Sequence, residues 1–369
     1  MSDELGAVET TRVKKPRRYV EQRILVLHNA DFGETSDGDP AFEARADVVN
    51  QAHDVARALV SRGHFVDVLG VDTEDLPGLF ARLQEDPPDL IFNLIESLSR
   101  VDKYAVAAPA LLDLFGVAYT GASVAAFVLS QDKLRSKQLL TAENVQTPRA
   151  ALVGPLFRSH VADLAAVAGF GYPLIVKFAD ESGSFGLSAD SVCSDGDALV
   201  RHLRTLRERH PGRRMFVEQY IEGRELNVAL LGNRLLPTTE IDFSHLPPTE
   251  PRILTYDAKW KKDSVGYQRI SGSKPAVGLP SQLAERIRQM AERAFSALGL
   301  CDYGRVDLRL SQDGTPYVLE VNPNCDLSDG AGLSMAAKAA GLSYEDLVDE
   351  VAQSALNRSR NGMAQSEPP

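Results

Sequence analysis

The sequence has little that would suit an oxidising compartment, a zinc site or a membrane. Only three cysteines occur in 369 residues, Cys193, Cys301 and Cys325, and they form no CxxC pair. A sparse, odd set of this kind is typical of reduced thiols rather than of a disulfide framework. No apolar run approaches the length of a membrane span, and the N-terminus lacks the apolar core of a signal peptide. These absences favour a cytoplasmic protein.

The chain also lacks an excess of positive charge. It has 40 basic and 51 acidic residues, a net charge of −11, whereas nucleic acids and anionic membranes bind proteins that present a net basic face. We therefore expect no nucleic acid and no membrane among the partners, while a local basic pocket for a nucleotide stays open. An apolar content of 44 % is ample for a core, and the length predicts two or three domains.

Strand and helix patterns divide the chain into domains. Residues 1–21 are polar and predict a disordered leader. Residues 22–121 alternate buried strands with helices, which predicts an N-terminal α/β domain with a parallel sheet. Residues 122–216 and 217–357 combine helices with mixed strands and predict two α+β halves. Residues 358–369 are expected to be a disordered tail.

One predicted strand pair carries a cluster of polar side chains. The stretch YGRVDLRLSQDGTPYVLEVNPN contains two alternating strands joined by an SQDG turn, which predicts a hairpin. Alternation places Arg305 and Asp307 on one face of the first strand, and Glu320 and Asn322 on one face of the second. If the faces coincide, the oxygen donors would suit Mg²⁺. The alternative is the solvated face of a surface hairpin.

Two lysines are candidates for binding phosphate. Lys177 ends the apolar strand YPLIVK and precedes the small-residue loop DESGSFG, whose backbone N–H groups are suited to phosphates. No Walker A pattern is present, and taken alone this loop favours an ordinary hairpin. Lys133 lies in LSQDKLRSKQLLTAENV, which predicts one helix over 129–145, and by itself is typical of a solvated helix lysine.

Together these segments resemble a known superfamily. YTGASVAAFVLSQDKLRSKQLL, YPLIVKF, VEQYIEGREL, YDAKW and GRVDLRL…YVLEVN, in this order, resemble the ATP-grasp enzymes and specifically those similar to D-alanine–D-alanine ligase. The resemblance covers about residues 22–357 and implies that the two α+β halves form an ATP-grasp fold behind a substrate-side N-terminal domain. It implies ATP and Mg²⁺ as cofactors, with Mn²⁺ as a substitute, and small-molecule carboxylate and amine substrates. Homodimers are common among similar enzymes, so a homodimer is expected by analogy.

The resemblance also implies the roles of individual residues. Six are implied to contact ATP: Lys133 and Lys177 at the phosphates, Glu218 and Ile221 at the adenine, Glu225 at the ribose and Lys259 beside the terminal phosphate. Ser184 belongs to the loop that covers this phosphate, so Ser184, Lys259 and Arg305 are the implied catalytic residues. Asp307, Glu320 and Asn322 match the magnesium ligands, and Arg305 matches the arginine that stabilises charge on the reacting carbonyl.

The implied reaction has a clear physical logic. A carboxylate is a poor acyl donor, but transfer of the γ-phosphate of ATP converts it to an acyl phosphate, from which phosphate can leave. An amine then attacks the carbonyl and forms an amide. Water must be excluded from the acyl phosphate, and the segments ESGSFGLS and 250–275 are the candidate lids.

The substrate pockets depart from the family pattern. Arg45, Gly183 and Trp260 fall where a glutamate, a serine and a tyrosine would hold the first substrate. On the acceptor side, Glu96 stands where histidine is expected and Asp326 where glycine is expected. Because like charges at short range raise one pKa or repel a ligand, we expect substrates other than two D-alanines, with an amine or cationic acceptor.

Three alternatives stay open. The chain could be a genuine D-alanine–D-alanine ligase of cell-wall synthesis. It could instead be a nucleotide-binding protein, or a kinase that stops at the acyl phosphate without ligase activity. The two acids at the acceptor side could also face solvent on rearranged lids and leave the acceptor unchanged.

Overall fold

The computed structural model describes residues 20–32, 42–153, 160–180, 183–270 and 272–366. Of the expected leader, only residues 20 and 21 belong to these ranges. The side chain of Arg45 also lies outside what the structure describes. Among the helices of these ranges, none combines the length and the apolar character needed to cross a membrane.

The N-terminal domain alternates strands and helices: β1 (Arg23–Asn29), α1 (Phe42–Ser61), β2 (Phe65–Val71), α2 (Leu76–Glu85), β3 (Leu90–Leu94) and α3 (Ala107–Phe115). The strands pair in parallel in the order β2-β1-β3. Side chains alternate along β1, so Ile24 and Val26 pack with α1, while Leu25 and Leu27 pack with α2 and α3. Burial on both faces explains the unbroken apolar run of β1, and the predicted α/β domain is confirmed.

The central part contains α4 (Val124–Gln131), α5 (Lys133–Ala142), β4 (Ala150–Val153), α6 (His160–Val167), β5 (Leu174–Phe178), β6 (Val192–Cys193), α7 (Gly196–Arg209) and β7 (Met215–Gln219). Its antiparallel sheet has the order β4-β7-β5-β6. The prediction of one helix over 129–145 was wrong. The Asp132 carboxylate accepts a hydrogen bond from the backbone N–H of Arg135, which caps a new helix at Lys133.

The C-terminal half contains β8 (Gly223–Leu231), β9 (Arg234–Leu235), β10 (Thr239–Ile241), α8 (Tyr256–Trp260), α9 (Val265–Arg269), β11 (Ser273–Pro275), α10 (Ser281–Leu298), β12 (Tyr303–Ser311), β13 (Pro316–Pro323), α11 (Gly332–Ala339) and α12 (Tyr344–Ser366). The antiparallel sheet runs β11-β10-β8-β12-β13, and β9 pairs with β8. Helices α5 and α10 pack on it through Leu140, Ile287 and Phe295.

The chain end differs from the expected tail, because α12 continues to Ser366 instead of stopping before residue 358. Arg358 explains part of this extension. Its guanidinium donates to the Asp302 carboxylate at 2.8 Å and to the Tyr119 carbonyl at 2.7 Å, which fastens the last turns of the helix to the domain.

One core joins the N-terminal domain to the C-terminal half. Ile24 and Val55 of the first belong to the same buried cluster as Leu231, Leu333 and Val351 of the second. This shared core holds the ends of β1 and β3 near the β12–β13 hairpin, so residues from both domains can face a common site.

Candidate active site

The predicted hairpin forms, and its two polar faces coincide. The antiparallel register places Arg305 opposite Asn322 and Asp307 opposite Glu320, with a register shift after Asp307. The strands belong to the middle and edge of a six-stranded sheet, and Asp307 is only 6 % exposed. The alternative of a solvated surface hairpin was therefore wrong.

The Asp307 carboxylate is held by four hydrogen bonds. Arg305 contributes two, from Nε to Oδ1 at 2.6 Å and from Nη2 to Oδ2 at 2.9 Å. Asn322 donates from Nδ2 to Oδ2 at 2.9 Å, and Asn227 donates from Nδ2 to Oδ1 at 2.7 Å. Bonds to a charged acceptor are the stronger kind, so this carboxylate has a fixed orientation.

Asn227 was missed by the sequence analysis. It lies on β8 directly opposite Asp307 and is buried. Its carbonyl oxygen accepts from the Ser273 hydroxyl at 3.4 Å, and the same hydroxyl lies 3.2 Å from that of Thr239. The sequence did contain one indication of this residue, a single amide side chain within the apolar strand ELNVALL. A polar side chain that is buried in such a strand needs a hydrogen-bond partner.

The two lysines predicted to bind phosphate lie beside this hairpin. Lys133 begins α5, and its Nζ is 2.7 Å from Oε2 of Glu320. Its backbone N–H donates to the Ala179 carbonyl at 3.0 Å, which joins the helix start to the chain just after β5. Lys177, near the end of β5, approaches Glu218 with its Nζ 2.6 Å from Oε1. Burial alone would raise the pKa of Glu320, but Lys133 and Lys177 outweigh it and lower that pKa.

Glu218 lies on β7 between two lysines and is 1 % exposed. Its second oxygen, Oε2, is 2.8 Å from Nζ of Lys137, a residue the sequence analysis did not single out. Burial opposes the charge of Glu218, yet Lys137 and Lys177 together lower its pKa. The residue therefore stays an anion, and its carboxylate faces these lysines. Ile221, predicted at the adenine, is half-buried in the turn between β7 and β8.

Glu225, predicted at the ribose, is paired with a buried arginine. Arg309 lies opposite Glu225 across β12 and β8, is 3 % exposed, and places Nη2 at 2.8 Å from Oε2 of Glu225. The same guanidinium donates to the carbonyls of Gly223 and Arg252. It thus connects the predicted ribose acid to the base of the 250–275 segment.

The two predicted lids contact each other. Trp260 on α8 donates its indole N–H to the Gly183 carbonyl at 3.3 Å, and the Tyr256 backbone N–H donates to the Leu187 carbonyl at 3.3 Å. Lys259 precedes Trp260, and burial together with Arg305 lowers its pKa. Ser184 has a left-handed backbone with φ of 64°, next to Gly183.

The two acids of the acceptor side are near each other and open to solvent. The protein atoms around the Glu96 carboxyl group, and secondly the charge of Asp326, disfavour its ionised form and raise its pKa to about 8. The residue as a whole is nevertheless exposed. Asp326 accepts from Gln51 at 2.9 Å and from the Ser328 backbone N–H at 2.8 Å. Asp326 therefore holds a turn while the residue stays exposed.

A cavity of about 1520 Å³ opens between the 185–190 loop, α7 and the 248–261 segment. Of the predicted site residues, none is among those that line it. Ser184 and Trp260 are sequence neighbours of lining residues, but the wall itself is made of other side chains.

The donors of the hairpin fit a hard cation. In the described ranges, no three His, Cys, Asp or Glu side chains form a metal-binding group, but Asp307 and Glu320 place two carboxylates on adjacent strands. To hold an ion, Asp307 would exchange one of its four hydrogen bonds, and Glu320 its contact with Lys133. Asn322 turns its amide nitrogen to Asp307, which leaves its carbonyl oxygen as a third donor. Few protein ligands and shared phosphate oxygens are what Mg²⁺ prefers.

Comparisons with known proteins identify the family. The family described as D-ala D-ala ligase C-terminus matches residues 157–353. The D-alanine–D-alanine ligase of Pseudomonas entomophila is 31 % identical over 326 residues, covering 88 % of this chain and 91 % of its own. The ligase of the same name from Xanthomonas axonopodis pv. citri is 32 % identical over 338 residues, 89 % of this chain and 100 % of its own.

Solved structures show the same fold. D-alanine–D-alanine ligase from Bacillus anthracis complexed with ATP superposes with a TM-score of 0.70 at 20 % identity, covering 92 % of this chain and 99 % of that one. The ATP-grasp fold is thereby confirmed. The expectation of substrates other than two D-alanines is not supported by these relatives, and the alternative of D-alanine ligation fits them better.

Proposed function

Since this chain belongs to the D-alanine–D-alanine ligase family of carbon–nitrogen ligases, we propose that it joins two D-alanines in an ATP-dependent reaction that releases ADP and phosphate. The observation that carries the proposal is the cross-strand cluster of Arg305, Asp307 and Glu320 flanked by Lys133 and Lys177. It combines the cations that phosphoryl transfer needs with oxygen donors for the ion that accompanies ATP.

In the first step the carboxylate of one D-alanine attacks the γ-phosphorus, and the bond from this phosphorus to the bridging oxygen of ADP breaks. Lys133 exchanges its contact with Glu320, and Lys177 its contact with Glu218, for oxygens of the ATP phosphates. Lys259 binds the terminal phosphate. Mg²⁺ held by Asp307, Glu320 and Asn322 would neutralise phosphate charge when bound. The product is an acyl phosphate.

In the second step the neutral amine of the other D-alanine attacks the activated carbonyl, and the proton that it loses leaves with the departing phosphate. The carbonyl oxygen becomes an oxyanion, and we assign its stabilisation to Arg305, because a guanidinium keeps its charge at any physiological pH. The oxyanion then reforms the carbonyl and phosphate leaves. Asp307 keeps Arg305 oriented through its two hydrogen bonds.

The lids exclude water from the acyl phosphate. Ser184 belongs to the covering loop, and the bond from Trp260 to Gly183 joins that loop to α8. The bond uses the backbone carbonyl of residue 183. The loss of the family's serine and tyrosine at these positions therefore still leaves the two lids connected, which is compatible with the family's substrate.

The test is to measure ADP release with D-alanine alone, with L-alanine and without amino acid, and to identify the dipeptide by mass spectrometry. We expect ADP and D-alanyl-D-alanine in equal amounts, and loss of both in Arg305→Met. Trapping of an acyl hydroxamate by hydroxylamine without dipeptide formation would favour the kinase alternative. ATP turnover that ignores D-alanine would reject the proposal.

Two further points belong to the proposal. We place the reaction in the cytoplasm, where ATP is supplied and where the three free cysteines stay reduced. We propose a homodimer by analogy with similar enzymes, which sedimentation of the purified protein would test.

A further inference from the structure

Lys137 is a buried cation with every donor used. Its side chain is 4 % exposed, and it lies one turn after Lys133 on α5, on the same face. The ammonium group contacts three acceptors: the Glu218 carboxylate at 2.8 Å, the Leu319 carbonyl at 2.7 Å and the Thr147 hydroxyl at 3.1 Å. Three acceptors match its three N–H groups, so Lys137 has no donor left for a ligand.

Glu218 is shared between Lys137 and a lysine that the proposed reaction needs elsewhere. One oxygen faces Lys137 at 2.8 Å and the other faces Lys177 at 2.6 Å. Lys177 is 16 % exposed and so lies at the edge of the site, whereas Lys137 is behind it. The two lysines therefore differ in access although they bind the same carboxylate.

Phosphate binding by Lys177 requires it to loosen its contact with Glu218. A buried carboxylate that loses all its counter-ions carries a large desolvation cost. With Lys137 in place, Glu218 keeps a full positive charge at hydrogen-bond distance, and its ionic state does not depend on Lys177. Without that charge, Glu218 would retain Lys177 as its only nearby cation and compete with the phosphates for it.

We propose that Lys137 is a positioning residue that neutralises Glu218 and thereby frees Lys177 to bind the phosphates of ATP. The inference rests on the proposed function in one respect, namely that the nucleotide phosphates reach Lys177. It assigns Lys137 no contact with ATP, substrate or metal.

The experiment measures binding of a non-hydrolysable ATP analogue with Mg²⁺, and of adenosine, by titration calorimetry or competition. In Lys137→Met the affinity for the analogue falls on the order of a hundredfold, the scale for breaking a buried ion pair. Affinity for adenosine changes less than about threefold, because adenosine has no phosphate for Lys177. Lys137→Arg retains the charge and recovers most of the analogue affinity.

A double variant separates this role from a merely structural one. In Lys137→Met/Glu218→Gln no carboxylate competes for Lys177. The ratio of analogue to adenosine affinity, from which the predicted contact of Glu218 with adenine cancels, therefore returns to within about tenfold of its wild-type value. Thr147→Val is the matched control, since it removes a hydrogen bond of Lys137 without removing charge, and it keeps wild-type affinity. Should Lys137→Met fail to fold, Lys137→Gln removes the charge with a side chain that still donates.

Three results would overturn the inference. They are equal loss of analogue and adenosine binding in Lys137→Met, unchanged analogue binding in that variant, and a double variant whose ratio of analogue to adenosine affinity is no higher than that of the single one. Wild-type protein that binds the analogue but forms no dipeptide rejects the proposed function and leaves this inference standing. Wild-type protein that does not bind the analogue rejects both.

Discussion

Removing the amide of Asn227 measures how strongly the orientation of the Asp307 carboxylate affects catalysis. In Asn227→Val the carboxylate loses the donor at 2.7 Å from Oδ1, one of its four hydrogen bonds. A hydrogen bond to a charged group contributes about 1.5–3 kcal/mol, and each 1.4 kcal/mol is about tenfold. We therefore expect kcat/KM for ATP to fall about ten- to hundredfold, with Mg²⁺ needed at higher concentration.

The assay is ADP release at varied ATP and Mg²⁺, with D-alanine saturating. Ser273→Ala is the matched control, because its hydroxyl touches Asn227 only at 3.4 Å and does not reach Asp307, and it should fall by less than about threefold. Far-UV circular dichroism and the thermal midpoint check that both variants are folded. Wild-type kcat/KM in Asn227→Val, or equal losses in the two variants, would refute the reasoning.

Three further predictions concern the lids, the acceptor side and the chain end. Trp260→Phe removes the indole N–H bonded to Gly183. Because a neutral hydrogen bond contributes about 1 kcal/mol, the KM for D-alanine should rise severalfold while the affinity for the ATP analogue stays constant. A parallel loss of affinity for both ligands would contradict this prediction. Glu96 has a pKa raised to about 8, so between its ordinary value and pH 8 the folded protein holds a proton that the unfolded chain releases. Glu96→Gln removes this titration, so the stability of wild type relative to Glu96→Gln should decline as the pH rises from 5 to 9. A difference in thermal midpoint that stays constant over this range would reject the prediction. Arg358→Met leaves the buried carboxylate of Asp302 without the cation that it contacts. Urea denaturation should show a loss of about 2 kcal/mol in the free energy of unfolding, less than for a fully buried pair because Arg358 is 35 % exposed. An unchanged midpoint would show that the pair of Arg358 and Asp302 contributes nothing to stability.

Local pattern was sufficient for the hairpin. Arg305, Asp307, Glu320 and Asn322 alternate along two strands joined by a short turn, so their common face follows from strand geometry once the register is set. The parallel N-terminal sheet was predictable for the same reason, because its strands are apolar on both faces and alternate with helices. Which ATP atom each residue contacts stays a prediction.

Long-range partners explain what the sequence did not disclose. Asn227 is 80 residues from Asp307, and Lys137 is 182 residues from the Leu319 carbonyl that it binds. No short-range periodicity reports such contacts. The break before Lys133 was missed because the helical pattern continues through Asp132, whose carboxylate can serve as an N-cap or lie on a helix surface.

The expectation of substrates other than two D-alanines, which the relatives do not support, was also drawn without knowledge of long-range contacts. Gly183 and Trp260 were considered one position at a time, and each lacks the side chain expected there. In the structure the larger indole reaches the backbone carbonyl of residue 183, so a contact between the two segments persists with different atoms. Substitutions at contacting positions compensate each other in three dimensions, and a single sequence does not show that they touch.

The indole of Trp260 has one more consequence, because it is the only tryptophan among the 369 residues. It lies half-buried on α8, with its N–H directed at the loop that follows β5. Indole emission shifts with the polarity around the ring, and here the whole tryptophan signal comes from the junction of the two lids. The protein thus carries an intrinsic optical probe at the contact between the two predicted lids. Stopped-flow fluorescence of the unlabelled protein on mixing with ATP would measure whether that contact changes, separately from the transfer of phosphate.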